Sequence, residues 1–110
     1  MTLIKSIVRP NKVDDVKDAI QKLGVSGMTV TEVRGHGHQK GHMAIYRGRE
    51  YAVNLLPKME IEVVVPDAMV DEIVKIIAQA ARTGEIGDGR VFVMPVYQSY
   101  RIRTGDLERD

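Results

Sequence analysis

Cysteine is absent from this 110-residue chain, and so is tryptophan. Without cysteine the chain forms no disulfide and no thiolate metal site, which fits a reducing compartment. No apolar run approaches the ~18 to 20 residues that a membrane-spanning helix requires. The N-terminus also lacks the long apolar core of a signal peptide. These absences together predict a cytoplasmic protein.

A surplus of charge of one sign is missing as well. The 16 basic and 15 acidic residues leave a net charge of +1, and the basic residues form no long run. Nucleic-acid binding is therefore not expected, because it depends on a basic patch or stripe. The 44% hydrophobic and 28% charged fractions are ordinary for a globular protein. We expect one domain over residues 1–110.

The hydrophobic periodicity predicts four strands and two helices. The strands are expected at residues 3–9, 28–34, 58–65 and 91–96. Amphipathic helices are expected at residues 12–23 and from 66 to about 82, with Asn11 and Asp67 as their N-caps. The resulting order, β-α-β-β-α-β, predicts an α+β, ferredoxin-like fold with a long loop between strands 2 and 3.

One face of this predicted sheet is expected to lack a cover. Right-handed crossovers place both helices on the same face. The residues expected on the other face are mainly apolar or small, namely Ile7, Thr29, Thr31, Val64 and Val91. A face of this kind is poorly suited to water, so we expect oligomerisation to bury it.

The connection from Gly35 to Lys58 has no sustained strand or helix period. Loops of this length inside a compact domain are uncommon and are usually functional or disordered. Its histidines, His36, His38 and His42, suggest a metal site, since imidazole commonly binds zinc, copper or nickel. No cysteine or carboxylate stands at a matching spacing, so exposed loop histidines are the favoured interpretation.

Two further segments could bind an anion. The glycines of residues 83–90 could turn backbone N–H groups toward a phosphate, although a helix stop followed by a tight turn explains the same pattern equally well. Arg101 and Arg103 would project to one side of an extended backbone and could grip an anion, with a solvated C-terminal segment as the alternative. No Ser/His/Asp set, carboxylate pair or activated lysine is apparent, so we do not expect an enzyme.

Several motifs then identify a family. They are Gly-Met-Thr-Val-Thr-Glu-Val at 27–33, Gly-x-Gly-x-Gln-Lys-Gly-His at 35–42, Tyr-Arg-Gly-Arg-Glu-Tyr at 46–51, Leu-Pro-Lys at 56–58, Ala-Arg-Thr-Gly-x-Ile-Gly-Asp-Gly-Arg-Val-Phe at 81–92 and Arg-Ile-Arg-Thr-Gly at 101–105. With these motifs the sequence resembles the PII nitrogen-regulatory signal-transduction proteins, of the GlnB/GlnK type, over essentially its whole length.

The resemblance implies a homotrimer of ferredoxin-like subunits that binds ATP or ADP in the clefts between subunits. It implies an effector loop at 36–55, a phosphate-binding loop at 82–90 and a nucleotide-contacting C-terminal segment at 101–105. The nucleotide-binding residues that it implies are Ile7, Thr29, Gly37, His38, Gln39, Glu62, Val64, Gly87, Asp88, Gly89, Arg90, Arg101 and Arg103. Of these, Ile7 and Val64 would line the adenine pocket, and the two last arginines would reach in from a neighbouring subunit.

The resemblance also implies that 2-oxoglutarate binds beside ATP through Mg²⁺. Gln39 would be the protein ligand of the metal, and Lys58 would pair with the distal carboxylate. Backbone N–H groups around Gly37, Lys40 and Gly41 would hold the near end. Mg²⁺ suits this arrangement because it prefers oxygen ligands and commonly bridges phosphates with one or two protein groups.

Ligand state would then select the conformation of residues 36–55, which would dock on an ammonium channel or on an enzyme or regulator of nitrogen metabolism, such as glutamine synthetase regulation. Association with a membrane would occur only through a channel partner. Arg47 matches the loop-tip arginine that some members insert into the channel, and Tyr51 matches a tyrosine that some members have uridylylated.

His38 departs from the family pattern, because arginine usually contacts the ATP phosphates at this position. An imidazole is largely neutral at pH 7 whereas a guanidinium is charged, so we expect altered ATP affinity or altered discrimination between ATP and ADP. The alternative function is a divergent PII-like regulator of another transporter, responding to a metal or another small molecule. A third hypothesis is an enzyme with weak ATPase activity, which has little support because no general base is evident.

Overall fold

A four-stranded antiparallel sheet with two helices on one face forms the body of the protein. The structure is a computed structural model, and it describes residues 1–35, 43–46, 49–52 and 55–109. In chain order the elements are β1 (Thr2–Val8), α1 (Val13–Lys22), β2 (Met28–Gly35), β3 (Met43–Tyr46), β4 (Arg49–Ala52), β5 (Leu56–Val65), α2 (Val70–Ala81), β6 (Gly89–Pro95), β7 (Ser99–Tyr100) and β8 (Leu107–Glu108).

The strand order of the main sheet is β2-β5-β1-β6. Strand β1 is central and pairs antiparallel with β5 on one side and with β6 on the other. The predicted α+β, ferredoxin-like fold is confirmed. Within the described residues, neither helix has the length and apolarity needed to cross a membrane.

The core lies between the helices and the sheet, as the periodicity predicts. Alternate residues of β1 are buried, beginning at Thr2, because successive side chains of a strand point to opposite faces. The helices contribute residues four apart, which lie on one helical face. The buried hydrophobic residues are Ile4, Val8, Val16, Ile20, Ile61, Val63, Val65, Ile73, Ile77 and Ala81.

The predicted N-caps are wrong for both helices. Each helix follows a single 3-10 turn, Pro10–Lys12 or Asp67–Met69, and neither helix has a side-chain cap hydrogen bond. A proline begins or precedes each turn, and its restricted φ suits a tight turn closed by backbone bonds. Asp67 instead accepts a 2.6 Å hydrogen bond from the Thr2 hydroxyl, which joins the second helix to the start of β1.

Val91 lies on the helix side of the sheet, so its predicted place on the open face is wrong. Strand β6 begins at Gly89, two residues earlier than expected, and Val91 stands opposite the buried Ser6. Val91 packs against the core, and its neighbour Phe92 occupies the open face instead. A strand's period of 2 defines two faces but does not say which one is buried.

The other residues predicted for the open face are on it. They are Ile7, Thr29, Thr31 and Val64, which stand opposite Glu60, Glu62, Glu60 and Leu3 respectively. Val64 is 44% exposed and Phe92 is 41% exposed in the single chain. The uncovered face that the sequence predicts is therefore present in the described residues, and it carries apolar side chains beside charged ones such as Glu60 and Glu62.

The connection between β2 and β5 contains regular structure that the sequence analysis missed. Strand β2 continues to Gly35, β5 begins at Leu56, and β3 and β4 between them pair with each other as an antiparallel ribbon. The β-formers Ile45, Tyr46 and Tyr51 are consistent with this ribbon, but four residues are too few for a period to be recognised.

Candidate functional site

The segment from Arg82 to Arg90 carries the chain from the end of α2 into β6. Three of its glycines, Gly84, Gly87 and Gly89, have φ values of 91°, 99° and 107°. Other residues rarely adopt this conformation. At Gly89 a Cβ atom would also lie 1.7 Å from the carbonyl oxygen of Ile7. Glycine at this position therefore allows β6 to pair closely with β1.

The carboxylate of Asp88 holds the first half of this segment. One of its oxygens accepts hydrogen bonds from the backbone N–H groups of Thr83 and Gly84, both at 2.9 Å. The hydroxyl of Thr83 donates to the other oxygen. These donors, chiefly the Thr83 hydroxyl, hold the pKa of Asp88 well below its usual range. The carboxylate is thus ionised and points into its own loop.

Arg9 connects the same segment to the sheet. It directly follows β1, and its Nε lies 3.2 Å from Oδ1 of Asp88. Its Nη2 donates to the carbonyl oxygen of Ile86 at 2.9 Å. A guanidinium is well suited to this double contact because its donors form a planar fork. The segment is thereby tied to residues far from it in sequence.

Lys58 approaches the segment from the start of β5. Its Nζ donates to the carbonyl oxygen of Gly87 at 2.7 Å. Partial burial lowers the pKa of Lys58, and the nearby charge of Arg9 lowers it further, while Asp88 opposes the change. A partly desolvated cation beside a second cation gains from an added anion. Lys58 is therefore a favourable place for a carboxylate or phosphate.

A cavity of about 520 Å³ also borders Lys58. It is lined by Pro10, Glu32, Val33, Arg34, Pro57, Lys58 and Met59. Lys58 thus borders both this cavity and the glycine-containing segment. The volume of the cavity is large enough for a small organic anion.

The residues predicted for the adenine pocket lie on the open face of the sheet. Thr29 and Glu62 stand opposite each other on β2 and β5, and Val64 follows two residues after Glu62. Ile7 on β1 stands opposite Arg90 on β6. Four strands thus bring the predicted adenine-contacting residues and Arg90 to one surface.

Arg101 and Arg103 do not have the extended backbone that the sequence analysis assumed. Residues 102–104 form a turn between β7 and β8. Gly105, at φ 74°, closes it by donating its N–H to the carbonyl oxygen of Arg101 at 2.7 Å. The Nε of Arg101 pairs with Glu108 at 3.1 Å. The assumption of two parallel arginine side chains on a strand is therefore wrong, while their predicted role stays a prediction.

Several predicted site residues lie outside the described residues. They are Gly37, His38, Gln39, Lys40, Gly41 and Arg47, together with His36 and His42. Tyr51 lies in β4. Within the described ranges, no group of three or more histidine, aspartate or glutamate side chains is placed to hold a metal ion.

Comparison with known proteins agrees with this arrangement. A family model described as nitrogen regulatory protein P-II matches residues 1–106. The chain is 51% identical over 110 residues to the nitrogen regulatory protein P-II of Haemophilus influenzae, covering 100% of this chain and 98% of that protein. The chain belongs to the P-II nitrogen regulatory protein family. The resemblance predicted from the motifs is confirmed.

Other P-II relatives are similarly close. The nitrogen regulatory protein P-II 1 of Escherichia coli K12 is 54% identical over 106 residues, which are 96% of this chain and 95% of that protein. The P-II protein of Azospirillum brasilense is 52% identical over 110 residues, covering 100% of this chain and 98% of that protein. P-II proteins are signal-transduction regulators, so a non-enzymatic regulatory role agrees with the family.

Two residues of this candidate site were missed by the sequence analysis. Thr83 had a detectable signal, since a threonine just beyond a helix, five residues before an aspartate, can cap a local turn. Arg9 had none, because it is 79 residues from its partner Asp88. The sequence analysis placed Asp88 among the nucleotide-binding residues, whereas in the structure its carboxylate accepts hydrogen bonds from Thr83 and Gly84 of its own loop.

Proposed function

We propose that this P-II protein is a homotrimeric sensor of adenine nucleotide and 2-oxoglutarate that regulates nitrogen-metabolism targets through residues 36–55. The observation that carries the proposal is the 2.7 Å hydrogen bond between Lys58 and Gly87. It links the residue proposed to bind the dicarboxylate with the loop proposed to bind phosphates. Two anionic ligands bound there would be neighbours, as a joint nucleotide and 2-oxoglutarate site requires.

Phosphate binding is proposed at backbone N–H groups of residues 87–90 and at the side chain of Arg90. Arg90 forms no side-chain hydrogen bond or ion pair with the described residues, so its guanidinium is available to an anion. Asp88 is assigned no direct phosphate contact, because its carboxylate already accepts four hydrogen bonds and would repel a phosphate.

The adenine is proposed to lie against Ile7 and Val64, with Thr29 and Glu62 nearby. Mg²⁺ would bridge oxygen atoms of the nucleotide and of 2-oxoglutarate, with Gln39 as its protein ligand. Gly37, Lys40 and Gly41 would supply N–H groups to the near carboxylate, and Lys58 would bind the distal one.

A homotrimer is proposed because the open face exposes apolar side chains such as Val64 and Phe92, which two further copies of the chain could cover. In that assembly Arg101 and Arg103 would contact a nucleotide bound to a neighbouring subunit. Light scattering of the purified protein should then give about three times the 12.3 kDa chain mass. A monomer mass at working concentration would contradict this part of the proposal.

Targets are proposed to bind residues 36–55. An ammonium channel would contact Arg47, and an enzyme or regulator of nitrogen metabolism is the other class of target; Tyr51 is a candidate for modification. Ligands can bias this segment only to the extent that their affinities for its alternative conformations differ.

The deciding experiment is calorimetric titration of 2-oxoglutarate with Mg²⁺, once with saturating ATP and once with ADP. We expect binding only with ATP, since a third phosphate adds oxygen ligands for the bridging metal. Lys58→Met should weaken it by at least about 10-fold, because a charge-assisted contact is lost. Lys17→Met, on the exposed side of α1, is the matched control and should change nothing.

Failure to bind either ATP or ADP would overturn the proposal. The three loop histidines favour a second candidate in that event, a divergent regulator that responds to a metal. Zinc or nickel titration of the wild type against His38→Ala and His42→Ala would test it. Equal metal affinities in all three proteins would contradict metal binding by these histidines.

A further inference from the structure

The carboxylate of Asp88 is fully used within its own loop. It accepts from the backbone N–H groups of Thr83 and Gly84, from the Thr83 hydroxyl and from Nε of Arg9. A carboxylate offers about four acceptor positions, so these donors fill it. No capacity is left for a ligand, which indicates a role different from direct binding.

Thr83 has two functions in the same cluster. Its hydroxyl donates to Asp88 and accepts a hydrogen bond from the backbone N–H of Glu85 at 3.1 Å. The second bond forms a local turn directly after α2. Thr83 therefore sets the direction in which the chain leaves the helix, and Asp88 holds that direction.

The second half of the loop is held from the sheet. Arg9 contacts the carbonyl oxygen of Ile86 as well as Asp88, and Lys58 contacts the carbonyl oxygen of Gly87. Residues 83 to 88 are thus attached at both ends. Without such attachments a loop with three positive-φ glycines would lose much conformational entropy when a ligand ordered it.

We propose that Thr83, Asp88 and Arg9 are positioning residues that hold the 82–90 loop in its phosphate-binding shape before a nucleotide arrives. The inference rests on the proposed function, because the loop is taken to be the phosphate site. Preorganisation of this kind raises affinity by reducing the ordering cost of binding. It affects ATP and ADP equally, since it acts on the loop and not on one phosphate.

Thr83→Val tests the proposal because valine keeps the shape of threonine and lacks its hydroxyl. We expect the dissociation constants of ATP and ADP to rise together by about 10-fold, and Thr83→Ser to restore them to within about 2-fold. Thr2→Val is the matched control. It removes another threonine-to-aspartate bond, to Asp67, at the opposite end of β1, and should leave both constants unchanged.

Amide hydrogen exchange supplies a readout that needs no nucleotide. In Thr83→Val the Gly84 amide, which bonds to Asp88, should exchange at least about 10-fold faster while core amides of β1 keep their protection. If wild-type protein binds no nucleotide, the proposed function fails and the exchange result alone judges the cluster. Unchanged exchange at Gly84, or unchanged nucleotide affinity in a wild type that binds, would overturn the positioning role.

Discussion

The 82–90 loop and the C-terminal hairpin of residues 99–108 use similar parts in different ways. Each has a threonine that accepts from the N–H two residues later, and each has an arginine paired with a carboxylate. For the loop, the pair joins Asp88 to Arg9, which follows β1 and is 79 residues away; the side chains of Arg9 and Asp88 are 24% and 25% exposed. In the hairpin it is Arg101 with Glu108, seven residues apart and 62% and 37% exposed.

This difference separates tertiary attachment from local folding. The loop is bonded to β1 and β5 through Arg9 and Lys58, so its shape depends on the whole domain. The side-chain bonds of the hairpin, within the described residues, join hairpin residues to one another or to Gln98. An isolated two-stranded hairpin is marginal in water. We expect the loop to be rigid in the free subunit and the hairpin to depend on its partners.

The largest loss of stability is expected when alanine replaces Gly89 of the 82–90 loop, and Gly105 of the hairpin provides the comparison. Gly89→Ala adds a Cβ atom 1.7 Å from the carbonyl oxygen of Ile7 at a φ of 107°. It should cost about 2 to 6 kcal/mol of the free energy of unfolding, from backbone strain and overpacking. Gly105→Ala, at φ 74° with nothing within 4 Å, should cost about 1 to 2 kcal/mol. Urea unfolding measures both, and equal costs would contradict the contrast.

A smaller effect is expected when Asp88 loses its charge. The pKa of Asp88 is lower in the folded protein than its ordinary value of 3.8. Its ionised carboxylate therefore stabilises the fold in full at neutral pH, and this contribution is lost progressively as pH falls from about 5 toward the folded pKa. Asp88→Asn should lose about 2 to 3 kcal/mol at pH 7. Its stability should approach that of wild type toward pH 2. Parallel curves of unfolding free energy from pH 6 to pH 2 would contradict this linkage.

Glu108→Gln provides the hairpin control for the same pH series. The carboxylate of Glu108 pairs with an exposed guanidinium, and exposed pairs contribute little and are screened by salt. Its curve should follow that of wild type across the whole range. A convergence as large as that of Asp88→Asn would show that the two carboxylates are equivalent.

The smallest effects are expected from the arginines themselves. Arg9→Gln should cost about 1 to 2 kcal/mol, because it removes a partly buried ion pair with Asp88 and a hydrogen bond to the carbonyl oxygen of Ile86. Arg101→Gln should cost less than about 0.5 kcal/mol in the free subunit. Thermal unfolding at low and at 0.5 M salt measures both. A larger loss in Arg101→Gln than in Arg9→Gln would reverse the comparison.

Much of the fold was predictable because it depends on local periodicity. The i, i+4 spacing of Val16 with Ile20 and of Ile73 with Ile77 predicts which helical face is buried, and the structure agrees. Alternation in β1 likewise places Ile4 and Val8 on one face, and the structure shows that this face is the buried one. The expected N-caps failed because nearby prolines favour a 3-10 turn. Val91 failed because an edge strand's face depends on register with β1.

The candidate site was predictable in part. The motifs around residues 82–90 and Lys58 drew attention to segments that the structure brings together, with Lys58 on Gly87. The order of the four main strands and the two helices, the buried faces of the helices and the family were determined by the sequence alone, because periodicity and motif order are local properties. Only the tertiary structure decided that Arg9 meets Asp88 and that Lys58 reaches Gly87. Such contacts depend on chain crossings and strand register, which no residue spacing encodes.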